Sequence, residues 1–123
     1  MRTQSWMSRF VCVVAAVVAL SVWVAAHTKL EKSDPADGAT LTTSPKWIQL
    51  FFSEKPDAKV SKVDVTGPAG KVEVGAAHSM ADKDLMAVID SPLDNGKYTV
   101  AWQTAGKDGH VLKGSFSFTV RKN

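Results

Sequence analysis

Tyr98-Thr99-Val100-Ala101-Trp102-Gln103 and Ser115-Phe116-Ser117-Phe118-Thr119-Val120 decide the fold class. In each, large apolar side chains take every second place and small or polar ones fill the places between. That period of two sends one set of side chains to a core and the other to water, the pattern of a half-buried strand. Working outward, Trp47-Ile48-Gln49-Leu50-Phe51-Phe52 is apolar on both parities, which predicts a central strand covered on both faces. Shorter strands are predicted at Val63-Asp64-Val65, Lys71-Val72-Glu73-Val74 and Met86-Ala87-Val88-Ile89. Turn residues stand between them: Pro35 to Gly38, Gly67-Pro68-Ala69-Gly70, Asp94-Asn95-Gly96 and Lys107-Asp108-Gly109. Strands of about six residues separated by turns predict an antiparallel β-sandwich or barrel. Only Ala76 to Leu85 has room for a turn of helix, and its polarity reads better as a loop over one edge. Trp47 and Trp102 fall in phase with apolar neighbours, so both are expected in the core.

The first 26 residues obey other rules. Arg2 and Arg9 stand without an acid before an apolar run from Phe10 to Val24 that closes on Val24-Ala25-Ala26. A basic start, a short apolar stretch and small residues at the end read as a cleavable export signal. The run falls short of the roughly 20 residues a membrane-spanning helix needs. Residues 1–26 are therefore expected as signal peptide and residues 27–123 as one domain, long enough for a single modest core. The cut would give His27 a free α-amine beside its own imidazole.

Removing the signal changes what the composition implies. The sole cysteine, Cys12, leaves with it, so the mature chain has neither disulfide nor thiolate site. Arg2 and Arg9 leave too, and the formal charge falls from +3 to +1. That balance argues against a nucleic-acid partner. No apolar tail ties the mature chain to a membrane.

Three places carry candidate chemistry. An N-terminal His27 offers its α-amine and imidazole Nδ1 as a chelate on one metal ion, an arrangement that favours square-planar Cu(II) or Ni(II). Asp108-Gly109-His110 places a carboxylate and an imidazole on either side of one glycine in a turn, where they would complete a four-coordinate set. Glu54 ends the Trp47 strand. Each also has a plain reading: a cleavage point, a β-turn followed by a surface histidine, a solvated acid.

Taken in order, these segments resemble the CopC family of periplasmic copper-binding proteins. The likeness begins with His27-Thr28-Lys29-Leu30-Glu31-Lys32-Ser33-Asp34-Pro35-Ala36-Asp37-Gly38-Ala39 and continues through Ile48-Gln49-Leu50-Phe51-Phe52-Ser53-Glu54. It runs on through Ser91-Pro92-Leu93 and Gly96-Lys97-Tyr98-Thr99-Val100-Ala101-Trp102, and closes on Asp108-Gly109-His110 with Gly114 to Val120. The resemblance implies a Greek-key β-sandwich of about seven strands, cupredoxin-like or immunoglobulin-like, with Cu(II) at one end. The implied ligands are the amine and imidazole of His27, a carboxylate oxygen of Asp108 and an imidazole nitrogen of His110, with Glu54 beside or behind them.

The function so implied is capture and carriage of copper outside the cytoplasm, for resistance or homeostasis, by a monomer that makes and breaks no bond. Delivery to an inner-membrane partner resembling CopD is the corresponding expectation. Many relatives also bind Cu(I) through a methionine-rich loop. The matching region here holds only His78, Met80 and Met86, and Met86 is in phase with a strand and expected in the core, so the chain reads as a Cu(II)-only member. Two other classes share parts of the pattern. A polysaccharide-cleaving copper monooxygenase shares only the N-terminal histidine and needs a broad substrate face. An immunoglobulin-like interaction domain would bind no metal.

Overall fold

The computed structural model describes residues 28–123. The expected signal, Met1 to Ala26, and the expected N-terminal His27 lie outside the described residues.

The described residues form eight strands in two sheets. They are β1 (Leu30–Asp34), β2 (Thr40–Leu41), β3 (Trp47–Phe52), β4 (Lys62–Gly67), β5 (Gly70–Val72), β6 (Asp84–Val88), β7 (Gly96–Ala105) and β8 (Val111–Val120), with a short 3-10 turn at Ala58–Val60. One sheet has the order β1-β3-β6 and the other β2-β8-β7-β4-β5. The chain crosses between the sheets after β1, β2, β3, β5 and β6, as in a Greek-key sandwich.

The period-two segments supply the core. Ile48, Leu50 and Phe52 of β3 and Leu85, Ala87 and Ile89 face Val63 and Val65 of β4, Tyr98, Val100 and Trp102 of β7, and Phe116, Phe118 and Val120 of β8. An edge-on contact between Phe52 and Trp102, ring centroids 5.4 Å apart, joins the two sheets. Tyr98 stacks on Phe118 and donates its hydroxyl to the backbone oxygen of Asp94 at 2.7 Å. Burial, then the nearby Asp94 charge, pushes the Tyr98 phenol above its ordinary value.

The eight strands among the described residues accord with the expected number of about seven, and neither β1, with its polar Glu31-Lys32-Ser33-Asp34, nor the two-residue β2 shows a clear alternation. Four other expectations are corrected. The sandwich is not wholly antiparallel, because β2 lies parallel to β8, with Thr40 opposite Thr119 and Leu41 opposite Val120. The chain there leaves one sheet for the other at a sandwich edge, where strands commonly switch sheets through a bend. Trp47 is not core; it is 40% exposed, because Ile48, Leu50 and Phe52 hold the inner parity and leave Trp47 on the outer face beside Val88. For the same reason β3 is covered on one face only in part. Met86, on that outer parity opposite Gln49, is half-buried and outside the core cluster.

Ala76 to Lys83 is a loop, as its polarity predicts, and Asp84 anchors it. This fully buried carboxylate accepts from Ala81 N–H (2.7 Å), Met80 N–H (3.0 Å), Ser79 Oγ (3.0 Å) and Gln49 Nε2 (2.9 Å). Burial alone would raise its pKa, but the four donors together hold it below the ordinary carboxylate value.

Candidate metal centre

β7 and β8 are the longest strands and pair over their whole length, from Gly96 opposite Val120 to Ala105 opposite Val111. Their five-residue connection, Gly106 to His110, is thereby held at one end of the sandwich. Gly106 N–H reaches the oxygen of His110 at 3.4 Å, and Gly109 N–H the oxygen of Gly106 at 3.0 Å. Gly109 has φ +79°, a left-handed conformation that costs glycine little and side-chain-bearing residues more. The chain folds back there and brings its two neighbours together. Asp108 Oδ2 lies 2.7 Å from His110 Nδ1, and Asp108 Oδ1 accepts from His110 N–H at 3.1 Å. An ionised carboxylate can only accept, so in this contact Nδ1 carries the proton and a neutral imidazole has its lone pair on Nε2.

The start of the domain runs to the same end. Lys29 N–H donates to Ser53 Oγ at 2.9 Å, and Ser53 N–H returns a bond to Lys29 O at 2.9 Å. The Thr28 hydroxyl donates to Glu54 Oε2 at 3.0 Å. Buried Thr28 lines one cavity of about 290 Å³ together with Gly106, Asp108, His110 and Leu112. The approach is close: a Cβ on Gly106 would stand 2.7 Å from Thr28 Oγ1 and 3.5 Å from Asp108 Oδ1.

Of the predicted site residues, Asp108 and His110 are in contact, and among the described residues Glu54 is linked to them through Thr28 and the cavity wall. His27 lies outside the described residues. Among the described residues, no three or more of the His, Cys, Asp and Glu side chains form a group able to hold a metal. Sequence reading missed Thr28 and Gly106. Neither carries a chemical signature, since a threonine beside a cleavage point and a glycine in a turn are ordinary; their roles exist only where two distant segments meet.

His78 and Met86 pair across an isolated β-bridge, His78 N–H to Met86 O at 3.0 Å and Met86 N–H to His78 O at 2.7 Å. Met80 is exposed in the adjoining loop. The Nδ1 of His78 lies 3.1 Å from the carbonyl of Ala76, which can only accept.

A Greek-key sandwich with an Asp-Gly-His turn at the end where its chain begins defines a class, and comparison with known proteins places the chain within it. The CopC domain model matches residues 30–121. Copper resistance protein C of Xanthomonas campestris pv. juglandis is 38% identical over 104 residues, covering 78% of this chain and 81% of that protein. The crystal structure of PcoC, a methionine-rich copper resistance protein from Escherichia coli, superposes with a TM-score of 0.71 at 30% identity, covering 78% of this chain and all of that one. That of CopC from Methylosinus trichosporium OB3b superposes at 0.72 with 25% identity, covering 79% and 96%. The chain belongs to the CopC family, and its function is tied to copper. Among the described residues no helix is long and apolar enough to cross a membrane.

Proposed function

We propose that this protein is a periplasmic carrier of Cu(II). Cleavage after Ala26 frees the α-amine of His27, which with its own imidazole chelates the ion, while the Asp108 carboxylate and the His110 imidazole complete the set. Nitrogen and carboxylate donors of this kind suit Cu(II) better than the softer Cu(I). The protein acts by binding and release, without chemistry on a substrate, and passes its cargo to an inner-membrane partner resembling CopD.

The observation that supports this most is the meeting of two chain segments distant in sequence. Thr28, the residue after His27, shares a cavity with Asp108 and His110, whose side chains lie 2.7 Å apart. A donor one peptide bond from Thr28 has about 3.8 Å of Cα–Cα reach from it, short enough to converge on that pair. Glu54 supports the arrangement through Thr28 rather than as a donor.

The test is mass and N-terminal sequence of the exported protein, followed by Cu(II) titration with electron paramagnetic resonance. The reading requires a chain beginning at His27, one ion per chain and nitrogen couplings in the spectrum. A product beginning at Ala26 or Thr28 would remove the chelate.

A further inference from the structure

The turn that carries Asp108 and His110 has another side, where an open groove of about 670 Å³ runs between it and the loop after β3. The groove is apolar within and basic around its edge. Val60 and Val111, which line it, are 50% and 57% exposed, so two aliphatic side chains that folding usually covers remain accessible at one place. Lys55, Lys59 and Lys107 line the same groove. Lys55 Nζ stands 3.6 Å from Asp82 in an exposed pair that water screens, and no ion pair engages Lys59 or Lys107 among the described residues. The acid of the groove, Asp57, is exposed, and its Oδ1 caps the 3-10 turn by accepting from Lys59 N–H at 3.1 Å.

The groove is also prebuilt. Asp57 N–H donates to Ala105 O at 2.9 Å, and the Ser61 hydroxyl lies 2.7 Å from that of Thr104, so the loop wall is fixed to the end of β7. A surface already held in its binding shape loses little ordering entropy when occupied.

We propose that this groove docks an acidic segment of the protein that receives the metal. A small aliphatic side chain of that segment sits against Val60 and Val111, and carboxylates on either side of it meet Lys59 and Lys107. Charge selects the occupant, since three lysines line the groove against the single carboxylate of Asp57. The concave shape and the lack of aromatic or long aliphatic side chains favour a peptide over a bilayer, which is entered by protruding apolar residues. Gly109, between Asp108 and His110, also lines the groove, so an occupant rests against the turn that holds the two candidate ligands. The delivery role rests on the copper reading above; the groove and its charge do not.

The experiment uses isotope-labelled protein beginning at His27 and three probes: a short synthetic peptide alternating glutamate with valine, the same peptide with lysine for glutamate, and phosphatidylglycerol vesicles. The acidic peptide should shift the amide resonances of Val60, Gly109 and Val111 saturably. Binding should weaken about tenfold or more in a Lys59→Glu/Lys107→Glu variant, and should fade as salt rises. Neither lysine contributes a metal donor, so the variant should titrate Cu(II) like the parent. Absence of saturable shifts, shifts centred elsewhere, equal binding by the lysine peptide, or an undiminished variant would each overturn the docking site. Vesicles perturbing those same amides where the peptide does not would overturn it in favour of a membrane. Peptide binding in a protein that fails to titrate Cu(II) would overturn the delivery role, whereas normal Cu(II) binding without peptide binding removes the groove and leaves the copper reading intact.

Discussion

Asp108 and His110 grip each other across Gly109, with Oδ2 2.7 Å from Nδ1 and Oδ1 on the histidine's backbone N–H at 3.1 Å. The contact sets the imidazole's orientation, and in the proposed site Nε2 would be the nitrogen that meets the metal. The same carboxylate can then serve as ligand and as the group that aims its neighbour.

Donor count ranks the first set of variants. His27 would supply two donors and a chelate ring, so His27→Ala should weaken Cu(II) binding beyond the roughly 10–100-fold typical of losing a supporting partner. His110→Ala should cost less, and Asp108→Asn less again, because an amide oxygen still accepts from Nδ1–H but is a poorer donor to the metal. Tryptophan emission during Cu(II) titration measures the order. A His27→Ala variant binding as tightly as the parent would falsify the chelate.

Thr28 and Glu54 separate support from ligation. If Glu54 acts by accepting from the Thr28 hydroxyl, Glu54→Gln retains an acceptor and should bind Cu(II) nearly as well as the parent. Thr28→Val removes the donor and should weaken binding up to about tenfold, the worth of one hydrogen bond of roughly 1 kcal/mol. Glu54→Gln losing as much as Glu54→Ala would instead make the carboxylate charge itself the active element.

Acid should act twice, by different routes. Imidazole and amine donors must be deprotonated to bind, so Cu(II) should leave as pH falls through about 6 toward 4. The fold should persist to lower pH. Asp84 has a folded-state pKa below its ordinary 3.8, so its contribution is full above that value and is lost as pH drops further through the folded one. Asp84→Asn, which keeps an oxygen for the three donors on Oδ1 but sets an amide NH₂ against Gln49 Nε2, should cost about 2–3 kcal/mol and flatten that acid limb. Urea unfolding at neutral and acid pH reads both.

Reduction should release the metal. His78 and Met86 are neighbours across a β-bridge, yet the Cu(II)-only reading gives them no cargo. A mild reductant with a Cu(I) chelator should strip the protein quickly. Retention of one Cu(I) per chain, lost on changing Met80 and Met86, would show that the loop does hold the reduced ion.

Gly114 is a packing position at the foot of the hairpin that carries the turn. It pairs with Trp102, and a Cβ there would come within 2.5 Å of the indole ring. Gly114→Ala should therefore destabilise by about 1–3 kcal/mol through overpacking. Thermal unfolding should shift down by several degrees per kcal/mol. An unchanged midpoint would mean that Trp102 moves aside freely.

Side-chain alternation alone determined an all-β sandwich or barrel. The inner parities of β4, β7 and β8 are legible because burying one face is a local rule, obeyed residue by residue. Asp108-Gly109-His110 was legible for the same reason, since one glycine with positive φ suffices to bring its neighbours together. Polar β1 and the short parallel β2 were not, because their strand character comes from the partners they meet. Nor was the exposure of Trp47, which depended on whether Ile48, Leu50 and Phe52 or Trp47, Gln49 and Phe51 would face the second sheet. The junction of Thr28 with Glu54 and Gly106, and the basic groove on the turn's other side, were decided by tertiary structure alone. Both are made of residues far apart in the chain, and only the closing of the two sheets puts them at one end of the molecule.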